Sequence, residues 1–323
     1  MHHKIFQKLF FILLAFLLSG ISPVFAEDNT LESLGLIDEP TISTFSIPRP
    51  NSQIAENVTV LTADDISRLN AHTLSDVLQT VPGIQLDYLR TPGTFSFFNI
   101  QGALNSTVLV LIDGIRQNDY DQNIALPGLI PVQQIDRIEI IKGASSTAWG
   151  TALGGVINII TKSPNPDKTV SGMVSGSIGS KFTADSRAEL SGTNGRFGYY
   201  LTAGNLRSDG LSPNTGTNMN NLYGKLSYRL PSGGTATLGM SQLDAHPGLD
   251  EGDTVKWGFV HDNNENHRTN IFLKLSQPLG NRLTLDIDSY LTRRDDHAKY
   301  GGPDGLGGIT FFNASIPKTK VGV

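Results

Sequence analysis

Few side chains in this sequence have the types and spacing that chemistry requires. Cysteine is absent from the 323 residues, which excludes disulfides, thiolate catalysis and zinc–thiolate sites. The seven histidines are scattered, and no pair has the ligand spacing of a zinc site. The run 150–155 is rich in glycine, but no Gly-Lys-Ser/Thr sequence follows it, so it lacks the pattern of a phosphate-binding loop. The sequence therefore predicts neither a resident metal nor a cofactor.

Two predicted loops do carry oxygen ligands of the kind that calcium prefers. One loop holds Asp209 with Asn214. The other holds four acidic residues: Asp244, Asp250, Glu251 and Asp253. Acidic side chains that are simply solvated are the alternative, and we favour that interpretation.

The N-terminal residues have the pattern of a cleaved signal peptide. Lys4 and Lys8 form a positive region, Leu9–Leu18 an apolar region, and a small-residue pattern ends at Ala26. A transmembrane anchor is the alternative, but roughly ten apolar residues are too few for the ~20 that span a bilayer. We predict that residues 1–26 are removed and that the mature protein is exported. The 23 basic and 30 acidic residues then left make nucleic acid a poor partner.

The mature chain divides into three predicted segments: 27–55, 56–166 and 167–323. Residues 27–55 contain Pro40, Pro48 and Pro50 and show no sustained periodicity, which indicates a flexible segment. Within it, residues 41–46 could add as an edge strand to a partner sheet.

Residues 56–166 are predicted to form a compact domain of mixed helices and strands. Thr62 and Thr73 each have the position of a helix N-cap, and the second helix is predicted over 74–81, where Pro82 stops it. The predicted strands have the sequences NVTVLT, FFNIQG, TVLVLI, RIEIIKG and GVINIITK. The connecting loops DYLRTPGTFS and IRQNDYDQNIALPG are polar and aromatic, as binding loops commonly are.

From Thr169 onward apolar and polar residues alternate. In RLTLDIDSYLTR, Leu285 and Ile287 face away from Asp286 and Asp288. Segments of about ten residues with one apolar face, joined by short turns at one rim and long loops at the other, are typical of outer-membrane strands. The strands of a soluble β-sandwich also alternate apolar and polar residues, and such a fold is the alternative. The charged residues on the second face of these strands favour an antiparallel transmembrane β-barrel.

Four motifs in order give the middle segment a family resemblance. They are NVTVLTADDI, LSDVLQTVPGIQL, VLVLIDGIRQND and QIDRIEIIKGASSTAWGTALGGVINIITK. The segment resembles the plug domain of TonB-dependent outer-membrane receptors. Among the members of that family, it is similar to the vitamin B12 and ferric-siderophore receptors. The resemblance implies an α+β plug domain followed by a barrel. It also implies uptake of a ferric siderophore, a corrinoid or a similar metal chelate into a Gram-negative bacterium, without a catalytic group. The implied partners are TonB, outer-membrane lipid and the chelate.

The resemblance also implies roles for particular residues. A TonB box falls by position on Thr41, Ile42, Ser43, Thr44, Phe45 and Ser46; a plain linker is the alternative. Ligand-binding candidates in the outward loops are Tyr88, Arg90, Phe95, Asp119 and Tyr120, which could equally be ordinary loop residues. Gln101 and Lys142 stand where the family usually has Arg, and with Arg137 they are candidate plug–barrel contacts. Because Gln and Lys lack the bidentate fork of Arg, we expect a plug held less firmly than usual.

The strand region is short for a closed barrel. About seven candidate strands follow the plug, whereas a 22-stranded barrel at ~10 residues per strand needs over ~220 residues. We therefore expect only about the first third of a barrel, so that the chain is a fragment. Three alternatives stay open: a passive porin, a secreted or membrane-associated plug-like binding module, and a truncated gene product without function.

Overall fold

The computed structural model describes residues 41–42, 49–50, 57–88, 91–119, 121–144, 152–212, 215–248, 260–280, 283–303 and 309–322. The predicted signal peptide lies outside these residues. The chain divides into two compact units, Met1–Val58 and Thr59–Val323. In the first unit β1 (Thr41–Ile42) and β2 (Arg49–Pro50) pair antiparallel, with Thr41 opposite Pro50. Ser43, Thr44, Phe45 and Ser46 of the predicted TonB box lie outside the described residues.

Strand β3 (Asn57–Thr62) leads directly into helix α1 (Ala63–Arg68). Thr62 begins the helix as predicted. Its hydroxyl accepts the Asp65 N–H at 3.3 Å, and the Asp65 carboxylate accepts the Thr62 N–H at 3.0 Å. This reciprocal capping box satisfies two backbone donors that the helix start would otherwise leave unpaired.

Helix α2 (Leu74–Leu78) begins after Thr73, as predicted, but ends three residues before the predicted end. The N–H groups of Thr80 and Val81 bond to carbonyls three residues back, at 3.1 Å each. This tighter turn replaces the helix because the following Pro82 cannot continue it. Among the described residues, no helix is long and apolar enough to cross a membrane.

Two small sheets complete residues 56–166, which we call the plug segment. The five-stranded sheet has the order β3-β9-β10-β7-β8, in which β10 runs parallel to β7 and antiparallel to β9. The three-stranded sheet has the order β4-β5-β6. The bounds are β4 Ile84–Tyr88, β5 Ser96–Ile100, β6 Ala103–Leu104, β7 Val108–Ile112, β8 Ile115–Arg116, β9 Ile135–Lys142 and β10 Gly155–Thr161, with 3-10 turns at Asn105–Thr107 and Pro127–Leu129.

The helices and both sheets of the plug segment share one apolar core. Strand β7 is buried on both faces, as its unbroken apolar sequence predicts, with Val108 and Val110 fully buried. At the start of β10 a Cβ on Gly155 would lie 2.5 Å from the carbonyl oxygen of Ile141. Glycine is therefore required there for β10 to pack against β9.

The remainder of the second unit forms an eight-stranded antiparallel sheet, which we call the wall. Its order follows the sequence from β11 to β18. The bounds are β11 Ser171–Ile178, β12 Ala184–Asn194, β13 Phe197–Ser208, β14 Thr217–Arg229, β15 Thr235–Pro247, β16 Val260–Pro278, β17 Thr284–Pro303 and β18 Ile309–Gly322. The sequence predicted about seven strands. The described residues form eight, and β18 is hard to predict because it contains Pro317 and little alternation.

The two faces of the wall differ as the alternation predicts. On the outer face a row of exposed apolar side chains crosses four paired strands: Met240, Ile271, Leu291 and Val321. On the inner face Tyr200, Tyr223 and Phe272 are buried against Ile115 of the plug segment. The inner face therefore carries the plug segment, and the outer face exposes an apolar surface.

Candidate functional site

The ligand-binding candidates divide between described and undescribed residues. Tyr88 is the last residue of β4 and pairs with Ser96. Arg90 and Tyr120 lie outside the described residues. Phe95 packs on a cluster that joins Leu129 of the plug segment to the wall, where Leu206, Met219, Leu243 and Ala245 line it. Phe95 thus lies at the contact between the plug segment and the wall.

Asp119 organises the loop after β8. Its carboxylate accepts the N–H of Gln122 at 2.8 Å, and its own N–H donates to the carbonyl of Ile124 at 2.9 Å. The neighbouring Asn118 is fully buried and bonds to β7 through Val110 N–H and Val108 C=O, both at 2.8 Å. Sequence reasoning missed Asn118, because nothing in a polar loop sequence marks the one amide that folds inward.

The three plug–barrel candidates each contact residues of the plug segment. Gln101 occupies an exposed turn with φ of 49°, and its N–H donates to Gly83. Lys142 Nζ donates to the carbonyl of Pro82 at 2.7 Å. Arg137 pairs with Glu139 at 3.0 Å and Asp136 at 3.2 Å. A role for these three side chains against a barrel stays a prediction.

The plug segment bonds to the wall through a buried cluster around Asp113, which follows β7. The Asp113 carboxylate accepts the Thr161 N–H at 3.0 Å, the Thr161 hydroxyl at 2.5 Å and the Tyr223 hydroxyl at 3.0 Å. Lys225 Nζ donates to the Thr161 hydroxyl at 2.6 Å and lies 3.6 Å from the Asp113 carboxylate. The carboxylate and ammonium side chains are only 9% and 11% exposed, so this cluster is a buried ion pair within a hydrogen-bond network.

A second polar contact joins the start of α2 to β12. His72 Nδ1 lies 2.6 Å from the Asp185 carboxylate, and Arg187 also pairs with Asp185. Arg187 Nη2 donates to the Ala71 carbonyl at 2.8 Å. Directly after β10, Lys162 pairs with Glu189 of β12 at 2.7 Å. The charged face of β12 therefore holds the plug segment at several points.

Backbone and amide contacts continue along the inner face. Gln133 donates to Asn221 of β14, and Arg294 of β17 donates to the Gln117 carbonyl at 2.8 Å. Thr217 donates to the Gly93 carbonyl at 3.0 Å. The plug segment therefore contacts both early and late strands of the wall.

The calcium hypothesis finds no support in the described part of the chain. There, no group of three or more histidine, aspartate or glutamate side chains is arranged to hold a metal ion. Asn214, Asp250, Glu251 and Asp253 lie outside the described residues.

Comparison with known proteins identifies the fold. Residues 50–156 match the family model of the TonB-dependent receptor plug domain. The vitamin B12 transporter BtuB of Vibrio vulnificus is 30% identical over 156 residues, which cover 48% of this chain and 25% of the transporter. The pyoverdine outer membrane receptor FpvA of Pseudomonas aeruginosa superposes with a TM-score of 0.73 at 19% identity, over 86% of this chain and 44% of the receptor. The closed form of the ferric-catecholate import receptor Fiu of E. coli superposes with a TM-score of 0.67 at 18% identity, over 87% of this chain and 44% of the receptor.

The chain thus combines a plug domain with an antiparallel sheet of the receptor-barrel type, which confirms the predicted fold class. Residues 50–156 match the plug domain of TonB-dependent receptors, which confirms the resemblance that the motifs predicted. Its relatives are transporters and receptors rather than enzymes, which agrees with a function without a catalytic group. The chain spans a quarter of the B12 transporter and less than half of these receptor structures.

Proposed function

We propose that this chain acts in TonB-dependent uptake of a metal chelate across the outer membrane of a Gram-negative bacterium. One observation carries the proposal: a plug segment lies on the polar inner face of a sheet whose outer face is apolar. An apolar outer face suits lipid, and a polar inner face suits a water-filled lumen closed by a plug. The relatives' names refer to vitamin B12, pyoverdine and ferric catecholates.

The ligand in this proposal is a ferric siderophore, a corrinoid or a similar chelate. It contacts the loops that hold Tyr88, Arg90, Phe95, Asp119 and Tyr120. Support comes from the loop of Asp119, which the buried Asn118 fixes in place. A rigid loop loses little entropy when a ligand binds.

TonB is the proposed partner on the periplasmic side, and residues 41–46 are its proposed binding segment. Thr41 and Ile42 have the extended backbone that strand addition to a partner sheet requires. A pull on this segment has to displace the plug from its contacts. We include the Asp113 and His72 clusters among those contacts, together with the family positions Gln101, Arg137 and Lys142.

The test is uptake of radiolabelled iron by Gram-negative cells that express the full chain and lack other receptors for the ferric chelate supplied. We expect uptake in cells with TonB and a proton gradient, and loss of uptake when either is removed. Deletion of residues 41–46 should abolish uptake, whereas deletion of residues 29–34, an equal length of the same segment, should preserve it. Uptake that continues without TonB would instead indicate a passive pore.

Membrane fractionation separates the remaining alternative. The proposal requires the chain to sediment with the outer membrane and to resist extraction by salt. A secreted plug-like binding module would instead appear in the soluble fraction, and that result would contradict membrane transport.

A further inference from the structure

Two cavities lie between the plug segment and strands β14, β15 and β16 of the wall. The lower cavity, of about 300 Å³, is near the short turn that joins β14 to β15. The upper cavity, of about 40 Å³, lies further along the same strands. The polar lining includes Asp113, Lys225, Thr237 and Lys274 in the lower cavity and Gln117, Asn221, Ser241, Arg268 and Asn270 in the upper one.

Strand β16 carries one apolar side chain between two polar ones on its inner face. Asn270 lines the upper cavity and Lys274 the lower one. Phe272 between them is only 4% exposed. Its ring covers Gly239 of the neighbouring strand β15, where an added Cβ would collide with the ring. The ring therefore occupies the space that the glycine leaves open.

The plug segment presents the same order of residue types to this part of the wall. Strands β7 and β8 are joined by the two-residue turn Asp113–Gly114, whose φ values of 49° and 83° are typical of a tight hairpin. Asp113 lines the lower cavity and Gln117 the upper one. Ile115 between them packs in one apolar cluster with Phe272. Both cavities thus end at one apolar layer, formed by Ile115 and Phe272.

The side chains on either side of this layer are ones that water solvates. Arg268 Nε in the upper cavity has no hydrogen-bond partner within the described part of the chain, and water commonly satisfies such buried donors where the cavity has room for it. In the lower cavity, Lys225 and Lys274 present ammonium groups, which are strongly hydrated. A single apolar layer therefore separates two polar spaces.

We propose that Ile115 and Phe272 form an apolar barrier that keeps ions and small polar solutes from crossing the membrane along this contact while the plug segment is in place. This inference rests on the proposed function. A hydrophobic constriction between two polar spaces blocks ions because water is not stable within it. The plug segment and β16 each supply one side of the barrier, so a polar substitution on either side should open it.

The test measures the ionic conductance of planar lipid bilayers that contain the full chain, with potassium chloride as the probe. The wild type should stay closed, whereas Phe272→Ser should give a steady current, because a hydroxyl in the constriction admits water. Ile115→Ser removes the layer from the plug side and should give a current too. Phe272→Leu loses part of the packing of the ring but stays apolar, and should remain closed.

A second substitution on β15 tests the geometry of the barrier. The φ of Gly239 is not positive, so a side chain there does not strain the backbone. In the Phe272→Ser variant the space over Gly239 is free, and Gly239→Leu should fill it with apolar atoms. We expect this double variant to be closed again. A current that the second substitution leaves unchanged would overturn the placement of the barrier.

The matched control is Leu273→Ser, because Leu273 is the chain neighbour of Phe272 and is 50% exposed on the outer face. It should stay closed, and protease resistance of each variant reports whether it is folded. Equal conductance of the wild type and Phe272→Ser, or an equal current through Leu273→Ser or Phe272→Leu, would overturn the barrier and leave the uptake function standing. A wild type that does not float with lipid vesicles in a density gradient would contradict the proposed function itself.

Discussion

Loss of the Asp113 carboxylate should loosen the plug segment more than any surface change of the same kind. The Asp113→Asn substitution keeps the size of the side chain but removes the charge that balances Lys225, whose side chain is 11% exposed. A buried ion pair that loses one partner leaves an uncompensated charge, which costs about 3–5 kcal/mol. We therefore expect the free energy of unfolding of the full chain to fall by about that amount.

Two further variants divide this cost into its parts. Tyr223→Phe removes one hydroxyl that donates to the carboxylate at 3.0 Å, and should cost about 1.5–3 kcal/mol. The double variant Asp113→Asn with Lys225→Met leaves no buried charge. It should be more stable than the sum of the two single changes predicts, because residues in one network are not additive.

The assay is equilibrium unfolding in urea of the full chain, folded in detergent. Asp288→Asn is the matched control. Asp288 lies 3.5 Å from Lys274 in a pair whose side chains are 62% and 34% exposed, and such a pair contributes about 0–1 kcal/mol. Equal losses for Asp113→Asn and Asp288→Asn would refute the reasoning, because they would mean that burial adds nothing to the Asp113 pair.

Three other outcomes follow from the structure. In lipid vesicles, Ile271→Arg on the outer face should lower the free energy of unfolding by about 2–4 kcal/mol. Leu285→Arg, near the rim of short turns, should lower it by about 0–1 kcal/mol. Equal losses for the two variants in urea titrations of the folded vesicle samples would contradict the membrane orientation. Thr62→Ala should lower the free energy of unfolding by about 1 kcal/mol in urea, whereas Ser67→Ala on the same helix should not. Backbone and hydroxyl hydrogen bonds from Thr62 lower the pKa of Asp65 below 3.8, its value in the unfolded chain. The ionised carboxylate therefore stabilises the fold above that pH, and this stabilisation is lost as pH falls from 3.8 through the lower pKa of the folded state. The Thr62→Ala deficit should accordingly shrink below about pH 4, and a constant deficit would exclude this contribution.

The sequence predicted the local elements of the plug segment well. Strand β3 and the caps at Thr62 and Thr73 depend on residues within a few positions of one another. The end of α2 and strand β4 were less predictable. The tight turn before Pro82 still carries apolar residues at helical spacing, and β4 exists because it pairs with β5 across a loop.

The faces of the wall were predictable, but the partners of its inner side chains were not. Alternation alone places Asp185, Arg187 and Glu189 of β12 on the face opposite its apolar residues. It cannot indicate that this face contacts His72 or Lys162, because those residues are distant from β12 in the sequence. The Asp113–Tyr223 bond joins residues 110 positions apart.

The polar and the apolar contacts between the plug segment and the wall should resist displacement of the plug segment to different degrees. A hydrogen bond to the wall contributes only about 0.5–1.5 kcal/mol net, because water in a lumen can replace the lost partner. Water cannot replace the apolar contact among Phe95, Leu129 and Leu243, whose separation exposes apolar surface. Displacement under force should therefore begin at exposed hydrogen bonds, whereas the buried Asp113 pair and the Phe95 cluster resist longest.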